Sequence, residues 1–173
     1  MDLLQKDGYR LRAPEPEDLD CMMQFENTPS LWEVSNATGP YSRFYLKQYI
    51  ETNKNDVFSD GQLRLMIESP EKQVVGIIDL FSFDPFHNRA EVGVVVKEEV
   101  RQQGVGYLAL ELLTIHCFEY LGIRQLYATI DVTNQACRKL FLKCGFEECA
   151  YLKDWMRTGN TYRDVVMVQR LNR

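Results

Sequence analysis

The stretch "EEVRQQGVGYLALELL", residues 98–113, decides the fold, because a charged segment runs through two glycines into a long apolar run. The apolar spacing after Gly106 predicts a helix with Gly104 and Gly106 at its first turn. The first N–H groups of a helix have no intrahelical partner and lie at the positive end of its dipole. Glycine lets the backbone approach a ligand closely, and Arg101 adds a positive charge that suits a phosphate. The stretch therefore predicts an anion-binding loop.

Two other phosphate-binding loops fit the sequence less well. Gly104, Gly106 and Ala109 satisfy the G-x-G-x-x-A pattern of the dinucleotide-binding fold. In that fold a strand runs straight into the first glycine, whereas "KEEVRQQ" separates Val96 from Gly104 here. A Walker loop needs a Lys-Ser or Lys-Thr pair after a glycine, and the sequence has none. Neither loop is favoured.

Length and composition indicate a single domain over residues 1–173, because 173 residues with 45% hydrophobic content can bury one sizeable core. The net charge of −5 and the absence of a block of like charges argue against nucleic-acid and membrane partners. No apolar run approaches the ~18 residues of a membrane span, and the N-terminus lacks signal-peptide features. We expect a cytoplasmic protein. Five cysteines without a CxxC pair predict neither a disulfide framework nor a metal site.

Periodicity predicts elements in the order β-α-α-β-β-β-α-β-α-β-β, an α/β mixture in which antiparallel strands come first. The short connections "PEK" and "DPFH" require that the strands they join are antiparallel. The predicted helices span residues 15–27 and residues 42–53. A third runs from the quoted loop to about residue 121, and a fourth from about residue 134 to residue 144. The predicted strands span residues 9–14, 62–69, 73–83, 88–97 and 124–131, a segment from 145, and residues 162–171.

Two motifs carry a resemblance to a known family. The segment "RQQGVG" (101–106) resembles the acyl-CoA pyrophosphate loop of the GNAT superfamily of N-acetyltransferases. "TNQACRKLFLKCGF" (133–146) resembles the family's Asn-containing helix that ends in Gly-Phe. "YRLRAPEPEDLD" and "NRAEVGVVV" are similar to the branch with the ribosomal-protein alanine acetyltransferases and the spermidine acetyltransferases. The resemblance spans the chain and implies a three-layer α/β (α+β) fold. Its mostly antiparallel mixed sheet is splayed between two middle strands, with helices on both faces.

The resemblance also implies acetyl-CoA as cosubstrate, without a metal. Backbone groups of the strand "VGVVV" would bond the pantetheine amides like an added strand. Asn134 would start the second helix that contacts CoA, although it could be merely an N-cap. The implied CoA-binding residues are Val94, Val95, Val96, Arg101, Gln102, Gln103, Gly104, Val105, Gly106, Tyr107, Asn134 and Phe141.

The implied reaction is direct attack of a neutral amine on the acetyl thioester, which requires a base, a carbonyl-polarising donor and an acid. Glu91 is the candidate base, alone or through water, because it has the period-2 phase of Gly93 and Val95 on the same strand. The alternative is a structural carboxylate paired with Arg89 or another basic residue. The family often has a tyrosine acid four residues before the Gly-Phe glycine, where this sequence has Phe141. Tyr151, in the next strand, is the candidate substitute.

The segment "ENTPSLWEVSNATGPYSRFY" (26–45) is expected to form the acceptor site, with Trp32, Glu33 and Tyr41 as wall residues. An aromatic ring and a carboxylate together suit a cation, so a polyamine, another small cationic amine or a protein N-terminus is the expected acceptor. Further acids would make the region negative, or are ordinary solvated side chains: Glu26, Asp79 and Asp84. Two function classes stay open, an N-acetyltransferase and a catalytically weak acyl-CoA-binding sensor or scaffold. The oligomeric state is open too, with a homo-oligomer among the options.

Overall fold

The structure, a computed structural model, describes residues 2–35 and 37–173, and for residues 33–35 it describes the backbone alone. Eight strands in this part of the chain form one sheet in the order β1-β2-β3-β4-β5-β6-β8-β7. They are β1 (Gln5–Lys6), β2 (Tyr9–Arg12), β3 (Leu63–Glu68), β4 (Val74–Asp84), β5 (Arg89–Val96), β6 (Gln125–Asp131), β7 (Glu147–Thr158) and β8 (Thr161–Leu171). Only β5 and β6 are parallel neighbours. The mostly antiparallel mixed sheet confirms the predicted fold class.

Helices cover both faces of the sheet. They are α1 (Leu19–Glu26), α2 (Pro29–Ser35), α3 (Arg43–Thr52), α4 (Val57–Asp60), α5 (Val105–Ile115) and α6 (Gln135–Lys143). On one face, α1 and α3 pack around a small core of Met22, Leu46, Met66 and Ile77. On the other face, residues of α5 and α6 belong to a larger core with alternate residues of β3 to β6 and β8. The three-layer arrangement is the predicted one. None of the described helices is both long and apolar enough to cross a bilayer.

Three short elements escape the sequence prediction. Strand β1 has two residues and exists only as a partner of β2. Helix α4 is a single turn, capped by Asp56, whose carboxylate accepts a hydrogen bond from the Phe58 N–H at 3.0 Å. Helix α2 begins at Pro29, a residue well suited to a first helical turn. None of the three is long enough for hydrophobic periodicity to develop, because that signal needs about three turns.

The sheet opens between β5 and β6, as the resemblance predicts. These strands pair at their first three residues, the last pair being Glu91 with Tyr127. Beyond it no pairing joins the described residues of the two strands, although β5 runs to Val96 and β6 to Asp131. Strand β5 meanwhile stays paired to β4 as far as Val96, opposite Gly76. A Cβ at Gly76 would lie 2.5 Å from the Val95 carbonyl oxygen, so this close approach requires glycine.

A buried ion network fixes the start of α1 to the sheet. The Arg12 guanidinium donates to both Asp18 carboxylate oxygens at 2.7 and 3.0 Å and to Glu68 at 2.6 Å. Burial works to raise the pKa of Asp18, but hydrogen bonds from Arg12 and from the Glu15 amide outweigh it, so this pKa lies below its ordinary value. The hydrogen bond from Arg12 likewise lowers the pKa of Glu68. The network joins β2, β3 and the turn that precedes α1.

Candidate functional site

The predicted anion loop lies at the start of α5. Gly104 is the N-cap of α5, with a left-handed φ of 81°, and Gln102 is also left-handed, with φ of 65°. No described side chain caps this helix, whereas Ser42 and Asn134 cap α3 and α6. The first N–H groups of α5 therefore remain as donors for an anion.

Side chains hold the loop against its neighbours. The Arg101 Nε donates to the Val96 carbonyl oxygen at 3.1 Å, and the Gln103 amide donates to the Glu99 carbonyl oxygen at 3.2 Å. A Cβ at Gly106 would meet Leu140 Cδ2 at 3.3 Å. Gly106 therefore also serves the packing of α5 on α6, a role that the sequence did not reveal.

The remaining predicted CoA-binding residues lie on both sides of the gap between β5 and β6. The backbone of residues 94–96 belongs to β5 beyond the splay. The Asn134 Oδ1 accepts a hydrogen bond from the Cys137 N–H at 3.1 Å, so Asn134 caps α6. Lys143 Nζ lies 4.5 Å from the centroid of the Tyr107 ring. Contacts of these residues with CoA stay predictions.

Phe141, where the family often has a tyrosine, is buried in α6. Its side chain is 2% exposed, and its ring centroid lies 5.0 Å from that of Phe146 in an edge-to-face arrangement. The ring has no group that can donate a proton.

Glu91 lies at the apex of the gap, in the last residue pair before the strands part. Its carboxylate accepts a hydrogen bond from the Thr129 hydroxyl at 2.9 Å. Burial raises the pKa of Glu91 above its ordinary value. Arg89 pairs instead with Asp84 at 3.3 Å, so the alternative Glu91–Arg89 pair does not form.

Tyr151 lies on β7, and strands β6 and β8 lie between β7 and β5 in the sheet. Its hydroxyl donates to the Asp164 carboxylate at 2.5 Å, and this hydrogen bond raises the pKa of Tyr151. The Asp154 N–H also donates to Asp164, at 2.8 Å. The proton of Tyr151 is thus held by a carboxylate at the outer edge of the sheet, and its role as an acid stays a prediction.

A cavity of about 290 Å³ lies between the helices α1 to α3 and strands β3 to β5. It reaches β5 beyond the splay, where it is lined by Gly93, Val94 and Val95. A Cβ at Gly93 would lie 3.3 Å from the Phe81 ring, so glycine keeps this wall open. The aromatic residues that line the cavity are Phe25, Tyr41, Tyr45, Tyr49 and Phe81.

The three predicted acceptor residues are placed differently. Tyr41 lines the cavity, and its ring stacks on that of Tyr45 with centroids 5.3 Å apart. Trp32 is absent from the described lining; its indole N–H donates to the Glu26 carbonyl oxygen at 2.7 Å. The side chain of Glu33 lies outside the described part of the structure.

Arg64 is the cavity residue that the sequence reading missed. Its guanidinium donates twice to Asp79, at 2.9 and 2.8 Å, and once to Glu26 at 2.5 Å. Burial works to lower the pKa of Arg64, but Asp79 and Glu26 outweigh it and raise this pKa. Two carboxylates against one guanidinium leave this ion cluster one net negative charge. The sequence signal that could have identified Arg64 is that it is the one arginine in the apolar strand "LRLMIE". In the sheet it lies directly opposite Asp79 on β4.

A second cavity, of about 410 Å³, adjoins the first. The two share Phe25 and Leu31 as lining residues. The second cavity also contacts Lys97, Glu98 and Arg101, which belong to the segment between β5 and α5. The aromatic cavity and the segment that precedes α5 are therefore connected along the surface of the sheet.

Comparison with known proteins gives one family. The family model for an acetyltransferase (GNAT) domain matches residues 9–147. Spermidine N(1)-acetyltransferase from Vibrio cholerae serotype O1 is 23% identical over 155 residues, which cover 90% of this chain and 88% of that protein. The enzyme of the same name from Escherichia coli K12 is 23% identical over 159 residues, with coverage of 92% and 83%.

Solved structures share the fold. Spermidine N-acetyltransferase from Vibrio cholerae in complex with CoA and spermine superposes with a TM-score of 0.87 at 20% identity, over 96% of this chain and 97% of that one. A dodecameric structure of the Vibrio cholerae enzyme in an intermediate state gives a TM-score of 0.79 at 22% identity, with coverage of 96% and 95%. The same fold therefore occurs in proteins with those ligands and that assembly.

Proposed function

Because the chain belongs to the acetyltransferase (GNAT) domain family, and is an acetyl-CoA-dependent N-acetyltransferase of primary amines, we propose that its acceptor is a polyamine. The observation that carries this proposal is the aromatic cavity with its net negative ion cluster, which reaches β5 beyond the splay. Ammonium groups are attracted both by negative charge and by the faces of aromatic rings. The names of the relatives, which are spermidine N-acetyltransferases, support the same acceptor class.

Acetyl-CoA is proposed to bind along the gap between β5 and β6. Backbone groups of residues 94–96 have no β6 partner and can bond the pantetheine amides. The uncapped first turn of α5, with Arg101 beside it, suits the pyrophosphate. Two parts of the described chain thus suit the two ends of the cosubstrate: the edge of β5 beyond Glu91, which has no pairing to β6, and the first turn of α5, which has no side-chain cap.

The chemistry moves one acetyl group, and the nitrogen of a protonated amine acceptor loses two protons in all. The amine must lose a proton before its nitrogen can attack the thioester carbonyl, and Glu91 is the proposed acceptor of that proton. A backbone N–H near Val94 would stabilise the charge that develops on the carbonyl oxygen. The new C–N bond forms, the C–S bond breaks, the nitrogen releases its second proton to water, and the departing sulfur takes up one proton. Phe141 has no proton to give, so water or Tyr151 must supply it.

A second candidate function rests on the phenylalanine at position 141, where the family often has a tyrosine. Without an acid at Phe141, and with the Tyr151 proton held by Asp164, the chain would bind acyl-CoA and turn it over slowly. Such a protein would act as an acyl-CoA sensor or scaffold. Both functions require the same loop, so turnover and not binding distinguishes them.

The acceptor is tested by comparing kcat/KM for spermidine, spermine, propylamine and a short peptide with a free N-terminus. We expect spermidine or spermine to exceed propylamine by at least about 10-fold, because a second ammonium adds attraction to the negative cavity. A peptide that is acetylated faster than either polyamine would overturn the proposed acceptor class.

Three properties of the whole chain complete the proposal. Residues 1–173 act as one catalytic domain in the cytoplasm. The chain assembles as a homo-oligomer, which is supported by its fold likeness to the dodecameric enzyme. Sedimentation of the purified chain tests the assembly, and a monomer at micromolar concentration would contradict it.

A further inference from the structure

The pairing of β5 with β6 ends at a hydrogen bond between two side chains. The last backbone pair is Glu91 with Tyr127. Two residues further along β6, where backbone pairing has ceased, the Thr129 hydroxyl donates to Glu91 Oε1 at 2.9 Å. The carboxylate thus reaches across the opening gap and is held there by the opposite strand.

We infer that Thr129 is a positioning residue, whose hydroxyl holds the Glu91 carboxylate at the apex of the gap in the orientation that receives the amine proton. The inference rests on the proposed function, in which Glu91 is the base. A free glutamate side chain samples many rotamers, and a base in the wrong rotamer lies out of reach of its proton. A hydrogen bond from a residue fixed in a strand restricts that sampling.

Strand alternation places both groups on the acceptor side of the sheet. Glu91 shares its face of β5 with Gly93, which lines the acceptor cavity. On β6 the neighbours Ala128 and Ile130 are buried in the larger core beneath α5 and α6. Thr129 lies between them in the sequence and therefore faces the opposite side, toward α1 and α3. The contact cannot be a by-product of packing in the larger core.

Hydrogen bonding from Thr129 and burial act on Glu91 in opposite directions. Burial raises the pKa of Glu91, and the hydrogen bonds from Thr129 lower it. A base works only when deprotonated, so activity falls as the pH drops through this pKa. Removing the hydroxyl therefore moves the acid limb of the pH profile to higher pH, whereas loss of packing alone would leave the limb in place.

Other ionisable side chains lie on β6, at the β4–β5 turn or in the cavity, and the Glu91→Gln variant distinguishes Glu91 from them. They are Tyr127 on β6, Asp84 and Arg89 at the β4–β5 turn, and Glu26, Arg64 and Asp79 across the cavity. The pKa of Tyr127 is raised, chiefly by burial and also by the charge of Glu91, so its titration belongs to the alkaline side. Glu91→Gln removes only the carboxylate under test and assigns the acid limb.

The test compares Thr129→Val, which keeps the shape, with Thr129→Ser, which keeps the hydroxyl. Thr114→Val is the matched control, because its buried hydroxyl bonds the Leu110 carbonyl oxygen inside α5. Two readouts are taken on the full chain: kcat/KM for spermidine as a function of pH, and the pKa of Glu91 from ¹³C NMR of its carboxyl carbon. We expect Thr129→Val to raise both the acid limb and the NMR pKa by about half to one pH unit. Thr129→Ser and Thr114→Val should match the native chain.

Each alternative outcome decides the inference. A Thr129→Val profile and NMR pKa that superimpose on the native ones would overturn it, as would Glu91→Gln with a native kcat and acid limb. If Thr129→Val does not fold, Thr129→Ala is measured in its place. If the native chain acetylates no amine, the proposed function fails, and the NMR titration still shows whether Thr129 holds the carboxylate.

Discussion

At the scale of single residues, Phe141 is the most informative departure from the family pattern. A tyrosine hydroxyl at this position of α6 would supply the proton that the departing thiolate needs. We expect Phe141→Tyr to raise kcat about 10-fold or more and to leave acetyl-CoA affinity unchanged. Phe146→Tyr is the matched control, because the two buried rings contact each other and receive the same hydroxyl. The measurement is kcat by thiol release and Kd by calorimetry.

Two outcomes would change this account of the proton. If Phe141→Tyr has no effect while Tyr151→Phe abolishes turnover, the proton comes from Tyr151 despite its bond to Asp164. If neither variant alters kcat, protonation of the thiolate does not limit the rate. Tyr162→Phe, a change at another exposed tyrosine of the same hairpin, controls for general effects of losing a hydroxyl there.

The charge of the proposed acceptor cavity can also be tested at a single residue. Asp79→Asn removes one carboxylate from the cluster with Arg64 and Glu26, so its net charge changes from −1 to zero. We expect KM for spermidine to rise about 5- to 10-fold with kcat nearly unchanged, because ground-state attraction is lost. Asp84→Asn is the control, because Asp84 pairs with Arg89 at the β4–β5 turn. A loss confined to kcat would instead place Asp79 in the chemistry.

At the scale of elements, the loop before α5 can be tested by a pair of glycines with the same conformation. Gly104 and Gly159 are both left-handed, with φ of 81° and 60°, and a Cβ at either meets nothing within 4 Å. Alanine at either position should cost about 1 kcal/mol of stability. Only Gly104→Ala puts a methyl group into the space proposed for the pyrophosphate, so we expect it alone to weaken acetyl-CoA binding by about 10-fold. Equal Kd values for the two variants would contradict the loop assignment.

The elements also show what sequence patterns can and cannot predict. The long strands were predicted to within a few residues, because their apolar alternation and short turns are local properties. The helix predicted to about residue 121 corresponds to α5 together with the π-helical turn His116–Tyr120 that follows it. The ion cluster around Arg64 was missed, since Arg64, Glu26 and Asp79 come from three elements and meet only after the sheet and α1 have packed. The opening between β5 and β6 was predicted from the family resemblance and not from periodicity, because it too depends on strands that are distant in the chain. Contacts between distant segments leave no periodic signal in the chain.

At the scale of the whole molecule, the Arg12 network predicts how stability depends on pH. The pKa values of Asp18 and Glu68 are lowered in the folded chain. At these two carboxyl groups the folded chain therefore binds fewer protons than the unfolded chain does. The resulting stability is complete above the unfolded carboxyl pKa values of about 4 and is lost as the pH falls through the lower folded values. We expect the urea concentration at the unfolding midpoint to decrease as the pH is lowered below about 4.5. This decrease should be less steep in Arg12→Gln. An identical slope for the two chains would contradict this role.

The proposed transfer of an acetyl group from acetyl-CoA to a polyamine is measured most directly as CoA thiol release in the presence of spermidine. The proposed transfer predicts that each thiol released is matched by one N-acetylspermidine in the mass spectrum, and that release without an amine is negligible. It would be contradicted if acetyl-CoA binds but no amine, including spermidine and spermine, is acetylated either by the native chain or by Phe141→Tyr.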